Sequence, residues 1–278
     1  MRHLLLTLLI VSTLQLQLHA TPGFYALDNA FAKKHLNTSE QVSLLKRLGY
    51  AGVCTELKTF SQEFEKDLKK AGLGIHATYI ILKPKKNLLP VDQEALDHIA
   101  YFKGSQTLIW LTIMNGPNMD DAQAVEAINK IADTAKTSNL KVALYPHYKY
   151  YTDVMDTCLR LAEKVNRPEV GVVFTLCHFL KQNDHSDLEK TIEIAAPYLM
   201  SVQVNGAYKN GKKKKGWSQL ILPLGEGDFD VSRVLNKLVK IGYQGEFSLQ
   251  CFNIKKTPQD HLSASMKAWH KINENKPK

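Results

Sequence analysis

Leu220-Ile-Leu-Pro-Leu-Gly-Glu-Gly-Asp-Phe-Asp230, and after it Ile241-Gly-Tyr-Gln-Gly-Glu-Phe-Ser-Leu-Gln250, form the stretch whose reading decides the fold. It reads as a loop lying over a pocket, a helix, a Gly-rich turn and a final buried strand. The helix is marked by Val231, Val234, Leu235 and Leu238, which share one face. Outward from this unit, apolar runs of four to seven residues alternate with helical patterns along the whole chain. Strands are expected near 24–27, 51–56, 74–81, 108–113, 141–145, 170–174, 200–204 and 247–251. Between them apolar residues recur three and four apart, as in Val42, Leu45 and Leu48, or Val125, Ile128, Ile131 and Ala132, or Val154, Cys158, Leu161 and Ala162. A last helix is expected over 259–272. Eight strands each followed by a helix is the count of a (β/α)8 TIM barrel, an α/β fold and here a single domain over 21–278. An open doubly wound sheet is the alternative, but Asp28-Asn29-Ala30 after the first strand lacks the glycine fingerprint of a dinucleotide fold.

The first twenty residues read as an address. Arg2 and His3 give a basic start, residues 4–14 are mostly apolar, and Leu18-His19-Ala20 offers a small residue at a cleavage position. A signal peptide over 1–20 is therefore expected, with the mature protein periplasmic or secreted; a retained anchor is the other reading. No later run reaches the roughly 20 apolar residues of a spanning helix. With 36 Lys+Arg against 27 Asp+Glu the chain carries +9. This excess suits solubility, and without a nucleic-acid motif it does not imply DNA or RNA as a partner. Cys54, Cys158, Cys177 and Cys251 match no zinc-ribbon or CxxC spacing, and three lie in strand-like apolar runs, where buried free thiols are expected.

Strand alternation sorts the chemistry. Tyr145 and His147 share a parity on the fifth strand, Thr175 and Cys177 on the sixth, Ser201, Gln203 and Asn205 on the seventh, and Ser248 and Gln250 on the eighth. Polar groups from four neighbouring strands thus point toward one lumen near the carboxyl ends, where this fold keeps its active sites. His147 and His178 are the candidate acid and base, since imidazole alone titrates near neutrality, with Glu56 at the end of strand two as a second candidate. Tyr145, Thr175, Gln203, Asn205, Trp217, Glu226 and Gln250 are candidate ligand contacts. His76 is a weaker candidate, while His35, His98, His185, His261 and His270 are expected to be exposed. Asp228 is expected to cap the following helix. Tyr208-Lys-Asn-Gly-Lys-Lys-Lys-Lys-Gly-Trp217 reads as a mobile, solvated basic loop, with a lid over the site as the sharper alternative.

The Leu224-Gly-Glu-Gly227 loop, the Gly242-Tyr-Gln-Gly245 turn and Thr175-Leu-Cys-His178 resemble elements of the xylose-isomerase-like TIM barrels, which include sugar phosphate isomerases and epimerases. The resemblance implies a polyhydroxylated, sugar-like ligand. It also implies isomerase, epimerase or lyase chemistry that begins with proton removal next to a carbonyl. It further implies a divalent metal held by Glu, Asp, His and Glu on strands five to eight. Those positions fall here on Tyr145, Thr175, Gln203 (or Asn205 in the alternative register of strand seven) and Gln250, so the loss of carboxylates disfavours a hard ion. A softer ion would have to use His147, His178 and Glu56. A carbohydrate-binding derivative without catalysis is the alternative to an enzyme, and the endonuclease branch of the same superfamily is a third reading.

Overall fold

A computed structural model describes residues 22–31, 36–86, 88–213 and 216–275. The leader expected over 1–20 lies outside them, as do His35, Lys214 and Lys215. Eight strands close into a parallel barrel in sequence order. They are β1 (Phe24–Leu27), β2 (Gly52–Glu56), β3 (Gly74–Leu82), β4 (Leu108–Ile113), β5 (Lys141–Leu144), β6 (Val170–Thr175), β7 (Leu199–Val204) and β8 (Phe247–Leu249). Closure is made by β1 against β8, with Phe24 opposite Phe247. The shell consists of α1 (Thr38–Leu48), α2 (Gln62–Lys70), α3 (Gln93–Tyr101), α4 (Asp121–Thr137), α5 (Met155–Val165), α6 (Leu176–Gln182), α7 (Leu188–Ala195), α8 (Ser232–Lys240) and α9 (Pro258–Glu274). No helix among the described residues is long and apolar enough to cross a membrane.

Local chemistry sets where the helices begin. Asn37 with Glu40 and Asp120 with Gln123 form reciprocal capping boxes at the starts of α1 and α4. Thr257 caps α9, whose first residue is Pro258. Strand spacing is equally local: a Cβ on Gly52 would sit 1.9 Å from the Gly74 carbonyl oxygen, so only glycine lets β2 run this close to β3.

The core has two layers. Outward-facing strand residues such as Val53, Ile109, Leu111, Val142 and Val172 pack against the helices. Each such side chain contributes about 1.5–3 kcal/mol when fully buried. Inside the barrel a smaller cluster of Leu27, Cys54, Ala77, Trp110, Ala143, Tyr145 and Val173 fills the axis. Trp110 touches His76 at a ring distance of 6.1 Å and Tyr145 at 5.4 Å, so it stands between the two ends of the lumen.

Strand ends differ from the expected ones by a residue or two. The larger difference is at Cys177, which sits in the first turn of α6 rather than on β6, so strand parity does not extend to it. All four cysteines are buried and free.

Candidate active site

At the carboxyl end of the barrel four side chains from distant segments form one hydrogen-bonded cluster. Tyr145, just after β5, donates from Oη to Gln203 Oε1 at 2.6 Å. Gln250, just after β8, donates from Nε2 to the same oxygen at 3.2 Å and to Tyr145 Oη at 3.5 Å. Asn29, in the short turn after β1, donates from Nδ2 to Gln250 Oε1 at 2.9 Å. That oxygen also accepts the Cys251 and Phe252 backbone N–H groups, each at 2.9 Å. Burial pushes the Tyr145 phenol well above its ordinary range, so it remains a donor.

Beside the cluster stand two imidazoles, with ring centroids 4.5 Å apart. The Tyr148 backbone fixes both tautomers. Its carbonyl oxygen, 3.1 Å from His147 Nδ1, can only accept, so that nitrogen carries a proton. Its N–H donates to His178 Nδ1 at 3.1 Å, so that nitrogen does not. In the neutral rings, His147 Nε2 is consequently a lone pair and His178 Nε2 an N–H. Burial lowers the pKa of His147; the Tyr148 carbonyl and the Glu56 charge oppose that shift. His178 is held well below its ordinary range by burial and by the neighbouring His147. Both rings are neutral at pH 7.

Around them lies an aromatic and basic rim. Tyr150 stacks on His147 at 4.0 Å, and Trp217 meets His178 edge-on at 5.0 Å. Lys181 Nζ sits 5.6 Å from the Tyr148 ring and 5.7 Å from the Trp217 ring. Glu56 is partly exposed and paired with Lys58 at 2.7 Å. Its backbone N–H donates to Asp28 Oδ2 at 3.2 Å, an acceptor shared with the Thr59 hydroxyl. Burial raises the Asp28 pKa, and the nearby Glu56 charge adds to the shift.

The other expected site residues have different surroundings. Thr175 donates to the Pro146 carbonyl at 3.3 Å. Asn205 spends its N–H groups on Gly206 and Leu220 carbonyls, pinning the loop after β7. Glu226 pairs with Lys256 at the rim. Asp228 does not cap α8, which begins four residues later; it accepts the Lys209 N–H at 2.6 Å and so ties two top loops together. Gly227 lies between them, and a Cβ there would meet the Ala207 carbonyl oxygen at 2.0 Å. The basic loop is not simply solvated along its described part: Lys212 Nζ donates to the Asn183 carbonyl at 2.8 Å. His98 and His261, expected exposed, are 8% and 2% exposed. α3 and α9 pack on the barrel with these rings facing inward, where they reach Thr78 and the Ala30 carbonyl. His185 is partly buried, and His270 is exposed.

His76 lies at the opposite end, bonded through Nε2 to Ser201 Oγ at 3.0 Å. It lines a cavity of about 710 Å³ that opens at the amino-terminal face, together with Tyr25, Met200 and Glu246. This large void is remote from the polar cluster.

A divalent ion does not fit the cluster. Its polar groups are a phenol and three amides, all uncharged and already bonded to one another. Among the described residues no group of three His, Cys, Asp or Glu is arranged to hold a metal.

Sequence reasoning passed over Asp28, Asn29, Tyr148 and Tyr150. Asp28-Asn29 directly follows β1, and that position at a strand's carboxyl end was the available signal.

The family model described as xylose isomerase-like TIM barrel matches residues 42–272. The chain belongs to that family. Within it, the chain is 26% identical over 154 residues to a ketose 3-epimerase of Arthrobacter globiformis, covering 54% of this chain and 48% of the relative. The match thus spans about half of that relative's length. Among solved structures, this xylose isomerase-like barrel superposes on the probable 3-DHS dehydratase AsbF of Bacillus anthracis with a TM-score of 0.68 at 18% identity. The superposition covers 88% of this chain and 98% of that one. It also superposes on the 3-keto-D-glucoside 4-epimerase YcjR of E. coli with a TM-score of 0.66 at 12% identity, covering 91% and 99%. At these identities the structural likeness establishes the fold.

Proposed function

We propose that this chain binds a polyhydroxylated, sugar-like molecule and moves a proton next to its carbonyl, as an isomerase or epimerase does. The observation that carries the reading is the opposed tautomer pair set by the backbone of one residue, Tyr148, with His147 Nε2 left to accept and His178 Nε2–H left to donate. His147 takes the proton from the carbon beside the carbonyl, and the electron pair left behind forms the enolate. His178 Nε2–H hydrogen-bonds the oxygen on which the charge develops, a role suited to a neutral imidazole. Glu56 favours the imidazolium formed on His147, since its charge already raises that group's pKa. Trp217 and Tyr148 supply apolar faces for a sugar ring. The sugar epimerases among the relatives support the substrate class.

Solvent deuterium exchange tests this. Incubated in D2O with a panel of keto-sugars, the wild-type chain is expected to label a carbon beside the carbonyl of at least one. His147→Gln and His178→Gln should each reduce that labelling. If no sugar is labelled, the catalytic reading fails. The second reading, a carbohydrate-binding protein without turnover, is favoured by the uncharged, self-bonded cluster where the family pattern has carboxylates. Calorimetric binding without exchange would support it. We also propose export, from the leader-like start of the chain; a periplasmic or secreted protein beginning at residue 21 would support this, and an uncleaved cytoplasmic one would end it.

A further inference from the structure

The amino-terminal mouth of the barrel is an open cavity of about 710 Å³ that the proposed chemistry does not use. Tyr25 on β1, Leu108 on β4 and Met200 on β7 line it and pack against the inner cluster of the lumen. His76 on β3 joins them, stacked on Tyr25, with Trp110 closing the lumen behind it. The floor is therefore largely apolar. Four charged residues also line the cavity: Glu65, Lys69, Lys141 and Glu246. Glu65 and Lys69 pair with each other at 2.6 Å. Lys141, at the start of β5, and Glu246, just before β8, form no ion pair with each other or with another described residue.

One anion and one cation are thus left on the walls of a single void. The Glu246 side chain is only partly exposed, and its Oε2 is buried with no hydrogen-bond partner. A Cβ on Gly23 would sit 2.7 Å from that oxygen and 3.0 Å from the Tyr25 ring, so the carboxylate lies beside the stacked Tyr25–His76 pair. Burial raises its pKa, the direction of a carboxylate without a counter-charge. Lys141 is exposed. Together with Gly245, the residue before Glu246, it also lines an adjoining cavity of about 370 Å³, so open space runs from one charge toward the other. A purely cationic ligand would be opposed by Lys141, and a purely anionic one by Glu246. A molecule that suits both walls and the floor carries an ammonium, a carboxylate and an apolar group.

We propose that the amino-terminal mouth is a second ligand site, which takes an apolar α-amino acid. Its ammonium pairs with Glu246 and its carboxylate with Lys141, while its side chain packs on Tyr25, His76, Leu108 and Met200. Trp110 separates this site from His147 and His178, and the proposal is independent of the proposed function.

L-Leucine, L-methionine and L-phenylalanine, each alone, would be titrated calorimetrically into the full chain, Glu246→Gln and Lys141→Gln. At least one is expected to bind wild type saturably, one molecule per chain, and each substitution to weaken it tenfold or more. The N-acetyl and carboxamide derivatives of the amino acid that binds each lack one of the two charges. Both should bind wild type at least tenfold more weakly than the parent. The proposal is overturned if no amino acid binds, if either variant binds as wild type does, or if either derivative matches the parent. Should Glu246→Gln not fold, Lys141→Gln decides alone, since it alters an exposed side chain. Deuterium exchange into sugars is expected to be the same in both variants as in wild type; a loss there would overturn the assignment of a separate site. Absence of exchange in wild type removes the proposed function and leaves this proposal to the titrations.

Discussion

The two ends of the barrel bury imidazoles in opposite circumstances. At the amino-terminal end His76 is held by Ser201, stacked on Tyr25 at 5.0 Å, and backed by Trp110. That bond leaves its tautomer open, because a hydroxyl can give or accept. At the carboxyl end His147 and His178 are bound by the N–H and carbonyl of one residue, Tyr148, which assign each a tautomer. Burial alone therefore does not mark a reactive histidine, since all three rings have depressed pKa values. What separates them is a backbone that dictates where the free lone pair and the free proton lie.

The sharpest way to break this comparison is to exchange the ends. His147→Gln or His178→Gln should cost about 10²–10⁴-fold in deuterium exchange, the range of acid–base catalysis, while His76→Gln leaves exchange near wild type. An equal loss from His76→Gln would erase the distinction. Next in size is the partition between the ends: Trp110→Ala should destabilise the chain by about 3–5 kcal/mol in denaturant unfolding, because it empties the axis on both sides. A third test uses pH. His76 is lowered by burial to about 4, so the unfolded chain protonates first as pH falls. The stability contributed is fully present above about pH 6.5 and is lost between there and pH 4. His76→Gln should flatten that part of the stability–pH curve, by up to about 3 kcal/mol. The smallest effect is expected at the rim. Glu226→Gln, which removes the ion pair with Lys256, should change stability by no more than about 1 kcal/mol in denaturant unfolding.

Much of the architecture is legible along the chain because it is written in short periods. Apolar runs such as Val142 to Leu144 and helical spacings such as Ile128 to Ala132 depend on neighbours a few residues away, and eight repetitions leave little choice but a barrel. Alternation likewise identifies Tyr145, Gln203 and Gln250 as facing one side. Asp228 shows the limit: an Asp before a helix has the signature of a cap, yet here a loop nineteen residues earlier offers its N–H first. His98 and His261 sit in helices with polar neighbours, and only the packing of those helices on the barrel turns the rings inward.

The sequence by itself determined the repeating strand–helix order and the inward parity of the strand ends. The tertiary structure alone decided that Asn29 meets Gln250 across 221 residues, and which amide nitrogen is left unspent. It also decided that the backbone of one residue, Tyr148, orients two histidines. The physical reason is range: periodicity is local, whereas barrel closure joins β1 to β8, and the direction of a hydrogen bond depends on every partner that closure brings within reach.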